Sequence, residues 1–131
     1  MIVVPGNTIV FIDVDDTLIM WSPTQEELDE RGIEITCPAS MVVIDDDIKP
    51  SHTWKARVVP HRKHIEHLKR HKMRNHTVVV WSAGGFDWAL AAVQALHLEE
   101  FVDIVISKPT WMIDDKKPEQ FMPKPHWEKD E

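Results

Sequence analysis

Four short apolar runs, each closing on a polar residue, constrain this chain more than any other feature. They are TIVFIDV at 8–14, TVVVWS at 77–82, FVDIVIS at 101–107 and TWMIDD at 110–115. A continuous apolar run of this length reads as a strand buried on both faces, and its polar end is where the strand reaches solvent. Helical patterns lie between the runs. HRKHIEHLKRHK carries a narrow stripe of Ile65 and Leu68, with Pro60 suited to its first turn. FDWALAAVQALHL, residues 86–98, is more apolar and is opened by Gly84 and Gly85. Strands alternating with helices predict an α/β fold with a mostly parallel sheet and right-handed crossovers. At 131 residues the chain suits a single domain, 1–131, with a real core.

Residues 20–57 break the alternation and read as a small cap or flap inserted after the first strand. Within them SPTQEELDERG predicts a short helix with Ser22 as N-cap, Pro23 at its first position, Gln25 as capping-box partner and Gly32 as the stop. MVVIDDD and TWKARVV predict a short hairpin or two edge strands. The tail, 116–131, is rich in proline and charge and predicts little regular structure.

Charge and cysteine content narrow the function. With 15 Lys plus Arg against 22 Asp plus Glu, the net charge is −7. That balance disfavours indiscriminate binding to nucleic acid or an anionic membrane, which needs a positive field. A small phosphorylated substrate held by a few local cations is compatible with it. Cys37 is the single cysteine, so no internal disulfide forms and a reducing compartment is expected. No run approaches the roughly 18 apolar residues that span a bilayer. The opening MIVVPGN lacks the basic segment of a signal peptide. A cytoplasmic protein is expected, and its oligomeric state is left open.

In a parallel sheet, ligands bind beyond the carboxyl ends of the strands. The chemically capable residues fall there: Asp13, Asp15 and Thr17 after the first run, Ser82 after the second, Lys108 after the third, Asp114 and Asp115 closing the fourth. Asp13 and Asp114 offer hard oxygens to Mg²⁺, which takes few protein carboxylates and completes its octahedron with water and phosphate. Lys108 supplies a point charge for a phosphate oxygen, and Thr17 and Ser82 supply hydroxyls. The amides of Ala83, Gly84 and Gly85, at a helix start, add donors to an anion. Such a set accommodates a phosphoryl group and its metal.

DVDDT at 13–17, WSAGG at 81–85, SKP at 107–109 and IDD at 113–115 together resemble, in order, the four motifs of the haloacid dehalogenase (HAD) superfamily. The resemblance implies a Rossmann-like sandwich with the first strand central. It also implies a Mg²⁺-dependent phosphatase, small or capless, working through an aspartyl phosphate. Carried over, Asp13 is nucleophile and metal ligand. Asp15 is the general acid–base and lends its main-chain carbonyl to the metal. Thr17, Ser82, Ala83, Gly84 and Lys108 hold phosphate, Asp114 completes the metal site and Asp115 supports it. An acid at Asp15 favours hydrolysis over phosphoryl transfer or carbon chemistry. The substrate expected first is a nucleotide or another small phosphate ester, and a polynucleotide end second. Outside phosphatases, the alternatives are a non-catalytic phosphate- or metal-binding module and a phosphorelay receiver, the latter disfavoured by the D-x-D-x-T arrangement.

Other features have plainer readings. His61, His64, His67 and His71 are spaced as helical metal ligands are, yet a solvated face rich in Lys and Arg is the expected account. Cys37 has no local partner to activate it and is assigned no role. Trp81 and Trp88 are expected in the core. Trp21, Trp54 and Trp111 fall nearer the rim, where a nucleobase can stack, though packing is the expected role.

Overall fold

TVVVWS forms the strand its composition predicts and lies at the middle of the parallel sheet. A computed structural model describes residues 8–21, 23–38, 41–44, 46–50, 53–117 and 120. Along the chain run β1 (Ile9–Asp13), β2 (Ile19–Met20), α1 (Gln25–Arg31), β3 (Ile33–Cys37), β4 (Met41–Ile44), β5 (Asp47–Pro50), β6 (Trp54–Pro60), α2 (Arg62–Met73), β7 (Thr77–Ser82), α3 (Phe86–Ala95), a 3-10 turn at Glu99–Phe101 and β8 (Ile104–Ser107). Among these residues no helix is long and apolar enough to cross a membrane.

The fold is α/β, with a parallel sheet of order β1-β7-β8. Its register sets Asp13 opposite Trp81 and Ser82 opposite Ser107, so the polar ends of all three strands lie side by side. Val78 and Val80 of β7 share one core cluster with Leu68 of α2 and with Ala89, Ala92 and Val93 of α3. Both helices therefore cover the same face of the sheet. The opposite face carries Phe11 against Trp81, their rings 4.4 Å apart.

Two expectations about the sheet are corrected. TWMIDD forms no strand; Trp111 and Ile113 on it are 83% and 91% exposed. Only Lys108 and Pro109 separate β8 from this segment. A parallel return needs a crossover of about a dozen residues. Without that fourth strand, β1 is an edge strand among the described residues rather than the central one.

The inserted region is more regular than predicted. MVVI pairs with Asp47–Pro50, not with TWKARVV. TWKARVV instead becomes β6, the middle of an antiparallel sheet of order β2-β6-β3. Ile35 and Val58 from this sheet are fully buried in the same cluster as the α3 residues. Residues 20–57 thus share the core and bring Trp21 and Trp54 to its border.

Helix ends also differ in detail. Ser22 lies outside the described residues, and the N-cap of α1 is Thr24, whose Oγ1 accepts from the Glu27 amide at 3.1 Å. Glu27, not Gln25, is the partner of this cap: the Thr24 hydroxyl donates to its carboxylate at 3.3 Å. Gly32 does stop the helix. Its amide donates to the Leu28 carbonyl at 2.9 Å, and a Cβ on it would stand 2.3 Å from that oxygen. Pro60 closes β6 instead of opening α2, whose N-cap is His61.

His61 caps through Nδ1, which accepts from the His64 amide at 3.2 Å. Burial, and next the charge of His64, hold its pKa below the ordinary histidine value. A histidine shifted down takes its proton more readily in the unfolded chain, so this cap weakens as pH falls through the unfolded value of about 6.5. We expect the unfolding midpoint to drop between pH 7.5 and 5.5, and to drop less in His61→Asn, which caps without titrating. Urea titrations at both values check this.

Asp103 ties the start of β8 to β7 and α2. Its carboxylate accepts from Lys72 Nζ at 2.6 Å and from the Val78 amide at 2.8 Å. Burial alone raises its pKa, but the Lys72 and Val78 hydrogen bonds and the Lys72 charge outweigh burial and hold it low. The stabilisation is complete above the ordinary carboxylate range and is lost as pH falls through the lowered value. Asp103→Ala is expected to cost about 1 kcal/mol at pH 7 and much less in strong acid, by denaturant unfolding at both.

Candidate active site

Beyond β1 the chain folds tightly back on itself. The Val14 carbonyl accepts from the amides of Thr17, Leu18 and Ile19 at 3.2, 2.9 and 3.2 Å. Such a turn needs a left-handed residue, and Asp16 supplies it at φ +57°. Aspartate tolerates that conformation because its short polar chain bonds locally. Here its Oδ1 accepts from the Trp21 amide at 3.2 Å, which fixes the exit into the inserted sheet.

The three strand ends meet through side chains. Lys108, after β8, places Nζ 3.3 Å from Asp13 Oδ1 at the end of β1. Its backbone amide donates to the Ser82 carbonyl at 2.9 Å, which anchors the lysine to β7. The Ser82 hydroxyl is buried and donates to Asp15 Oδ2 at 3.0 Å, and it accepts from the Gly84 amide at 3.0 Å. The Gly85 amide bonds the Ser82 carbonyl at 3.1 Å. The Gly84 and Gly85 amides, expected to face an anion, thus bond within their own turn; Ala83 is exposed on it. Gly85 has φ +104° and no side chain with which to cap α3. Ser107 assists, its Oγ accepting from the Phe86 amide at 2.8 Å.

Asp15 is held by partners that sequence reasoning missed. Its Oδ1 accepts from Trp21 Nε1 at 2.8 Å and from Trp88 Nε1 at 3.0 Å. Trp88 is 4% exposed, and a buried indole N–H requires an acceptor. That requirement was the available signal, since carboxylates end the neighbouring strand. Trp21, Trp54 and Trp88 form one aromatic cluster, with centroids 5.8 Å (21–88), 4.5 Å (54–88) and 5.9 Å (21–54) apart.

His64 corrects the expectation of a solvated histidine face. It is buried, its ring stacks on His61 at 3.7 Å, and its Nδ1 lies 2.7 Å from the Thr17 carbonyl. A carbonyl only accepts, so this nitrogen carries the proton and braces the turn from behind. Helical spacing explains the burial: residues 64 and 68 lie one above the other, and Leu68 is in the core.

Asp114 and Asp115 stand on the exposed stretch after β8. Asp114 accepts from the Lys116 amide at 2.9 Å, and that bond, followed by one from the Asp115 side chain, holds its carboxyl below the usual range. Among the described residues no group of three or more His, Cys, Asp or Glu side chains is arranged to hold a metal. The hard donors at the turn are the Asp13 carboxylate and the Asp15 main-chain carbonyl. Oxygens of this hard type are what magnesium takes together with water and phosphate oxygens. Burial and then the Asp87 charge raise the pKa of the Cys37 thiol and make it a poorer thiolate. No family model matches the chain, and no curated protein or solved structure matches it significantly.

Proposed function

We propose that the chain is a Mg²⁺-dependent phosphomonoester hydrolase of the HAD type acting on a small phosphorylated substrate through an aspartyl phosphate on Asp13. The observation that carries this reading is the meeting of Asp13 with Lys108 at 3.3 Å, beside Asp15 with Ser82 at 3.0 Å, at three adjacent parallel strand ends. The Rossmann-like three-layer sandwich and a cytoplasmic location belong to the same proposal. So do the roles of Thr17, Ala83 and Gly84 in holding phosphate and of Asp114 and Asp115 at the metal.

A carboxylate is a weak nucleophile, and the Asp13 oxygen approaches phosphorus only when the phosphoryl charge is neutralised. Lys108, adjacent to Asp13, supplies part of that neutralisation without reorganising. Asp13 and the Asp15 carbonyl would hold magnesium, which when bound would supply the rest of the neutralisation. As the Asp13–phosphorus bond forms, the bond from phosphorus to the ester oxygen breaks, and Asp15 gives its proton to that oxygen. Asp15 then takes a proton from water, whose oxygen attacks phosphorus. Inorganic phosphate leaves and Asp13 is restored. The Trp21, Trp88 and Ser82 donors fix the orientation of the Asp15 carboxyl, which supports its assignment as the acid–base group.

The test is a panel of phosphate esters assayed with magnesium and with chelator, wild type beside Asp15→Asn. Magnesium-dependent phosphate release is expected, falling about 10²–10⁴-fold in Asp15→Asn. No release from any ester would leave a phosphate-binding module as the better account.

A further inference from the structure

We infer that Trp21 and Trp54 form a leaving-group subsite, and that the ester hydrolysed carries a planar ring on its leaving group. This rests on the phosphatase reading. In that reaction the general acid must touch the leaving oxygen, so the leaving group lies on the Asp15 side of phosphorus. Trp21 Nε1 is 2.8 Å from Asp15 Oδ1, so this indole stands one hydrogen bond from the general acid, on the side where the leaving group must lie.

The exposure of the three rings is graded. Trp88 is 4% exposed and serves as the floor, with Trp54 packed over it at 4.5 Å. Trp21 and Trp54 are 38% and 45% exposed, and they meet edge to face, 79° between planes. Two indoles at a right angle offer a face and an edge to one further ring, the geometry aromatic groups prefer. Both sit on the sheet inserted between β1 and α2: Trp54 opens β6, and Trp21 follows β2, the strand paired with the far end of β6. A nucleoside and an aryl group share the required chemistry.

The test compares a nucleoside 5′-monophosphate, phosphotyrosine and glycerol 3-phosphate in wild type, Trp54→Ala and Trp54→Phe. Binding is read by quenching of tryptophan fluorescence without magnesium, and turnover by phosphate release with it. We expect ring-bearing esters to quench and glycerol phosphate not to. In Trp54→Ala the ratio of kcat/KM for a ring-bearing ester to that for glycerol phosphate should fall about tenfold or more, with Trp54→Phe recovering most of it. The stronger of the two ring-bearing ligands names the source of the ring. Equal quenching by all three esters, or a ratio unchanged in Trp54→Ala, overturns the subsite even if hydrolysis is robust. Ring-dependent quenching that Trp54→Ala weakens, with no phosphate released from any ester, leaves Trp21 and Trp54 as a ring-binding site but overturns its leaving-group role together with the hydrolase reading. No quenching and no release overturns both.

Discussion

Asp13→Asn is expected to remove magnesium-dependent phosphate release from p-nitrophenyl phosphate while leaving the fold intact. An amide neither attacks phosphorus nor offers a charged oxygen to a cation, so in the proposed reaction the substitution deletes the bond-forming group. Removing a covalent nucleophile lowers kcat by several powers of ten, here on the order of 10⁴ or more. The same change breaks the 3.3 Å ion pair with Lys108, which is part-exposed and worth about 1 kcal/mol or less. The two effects therefore separate cleanly: activity falls to background and the urea midpoint scarcely moves. Turnover near the wild-type rate in Asp13→Asn would refute the assignment. A large loss of stability would instead mean that the ion pair is structural.

What the sequence made legible was the part of the fold fixed by short-range pattern. TVVVWS reads as a buried strand because each residue but its penultimate tryptophan is buried, and its limits match at both ends. The apolar helix after Gly84 and Gly85 begins at Phe86 as expected. The fourth run failed for a reason also written in the chain. Two residues cannot carry a strand back across a parallel sheet, and apolar composition alone does not create a partner ladder. Pairing in the inserted region was illegible for a different reason. MVVI has two candidate partners nearby, and only the burial of Ile35 and Val58 against α3 decides that β6 belongs with β3.

The candidate site divides in the same way. Residues at strand ends, Asp13, Ser82 and Lys108, are placed by sheet register, and register follows from strand pattern. The groups around Asp15 come from elsewhere: Trp21 from the turn after β2 and Trp88 from α3. No local spacing links residues 15, 21 and 88; they meet because a buried indole N–H needs an acceptor. His64 was misjudged because its charged neighbours on α2 dominate the pattern, although its offset of four from Leu68 places it inward.

Leu18→Ala is expected to destabilise the protein by about 2–5 kcal/mol, the range for deleting a fully buried leucine side chain. Leu18 has no exposed surface and belongs to the main cluster. It is also where the strand-end turn is fastened: its amide donates to the Val14 carbonyl at 2.9 Å, and its carbonyl accepts from the His61 amide at 2.8 Å. Those backbone bonds survive the substitution, so the loss measures the cavity beneath the turn. Against a total stability of about 5–15 kcal/mol, it amounts to a fall in Tm on the order of 10 °C. Leu18→Met conserves volume and should cost less than about 1.5 kcal/mol. Lys55→Ala, at an exposed ion pair 3.9 Å from Glu34, should lie within about 0.5 kcal/mol of wild type. Urea unfolding of the three variants gives the order directly. Should Leu18→Ala lie as close to wild type as Lys55→Ala, the turn bearing Asp13 and Asp15 would not rest on the core, and the rigid placement that the proposed reaction requires of these two carboxylates would lose its physical basis.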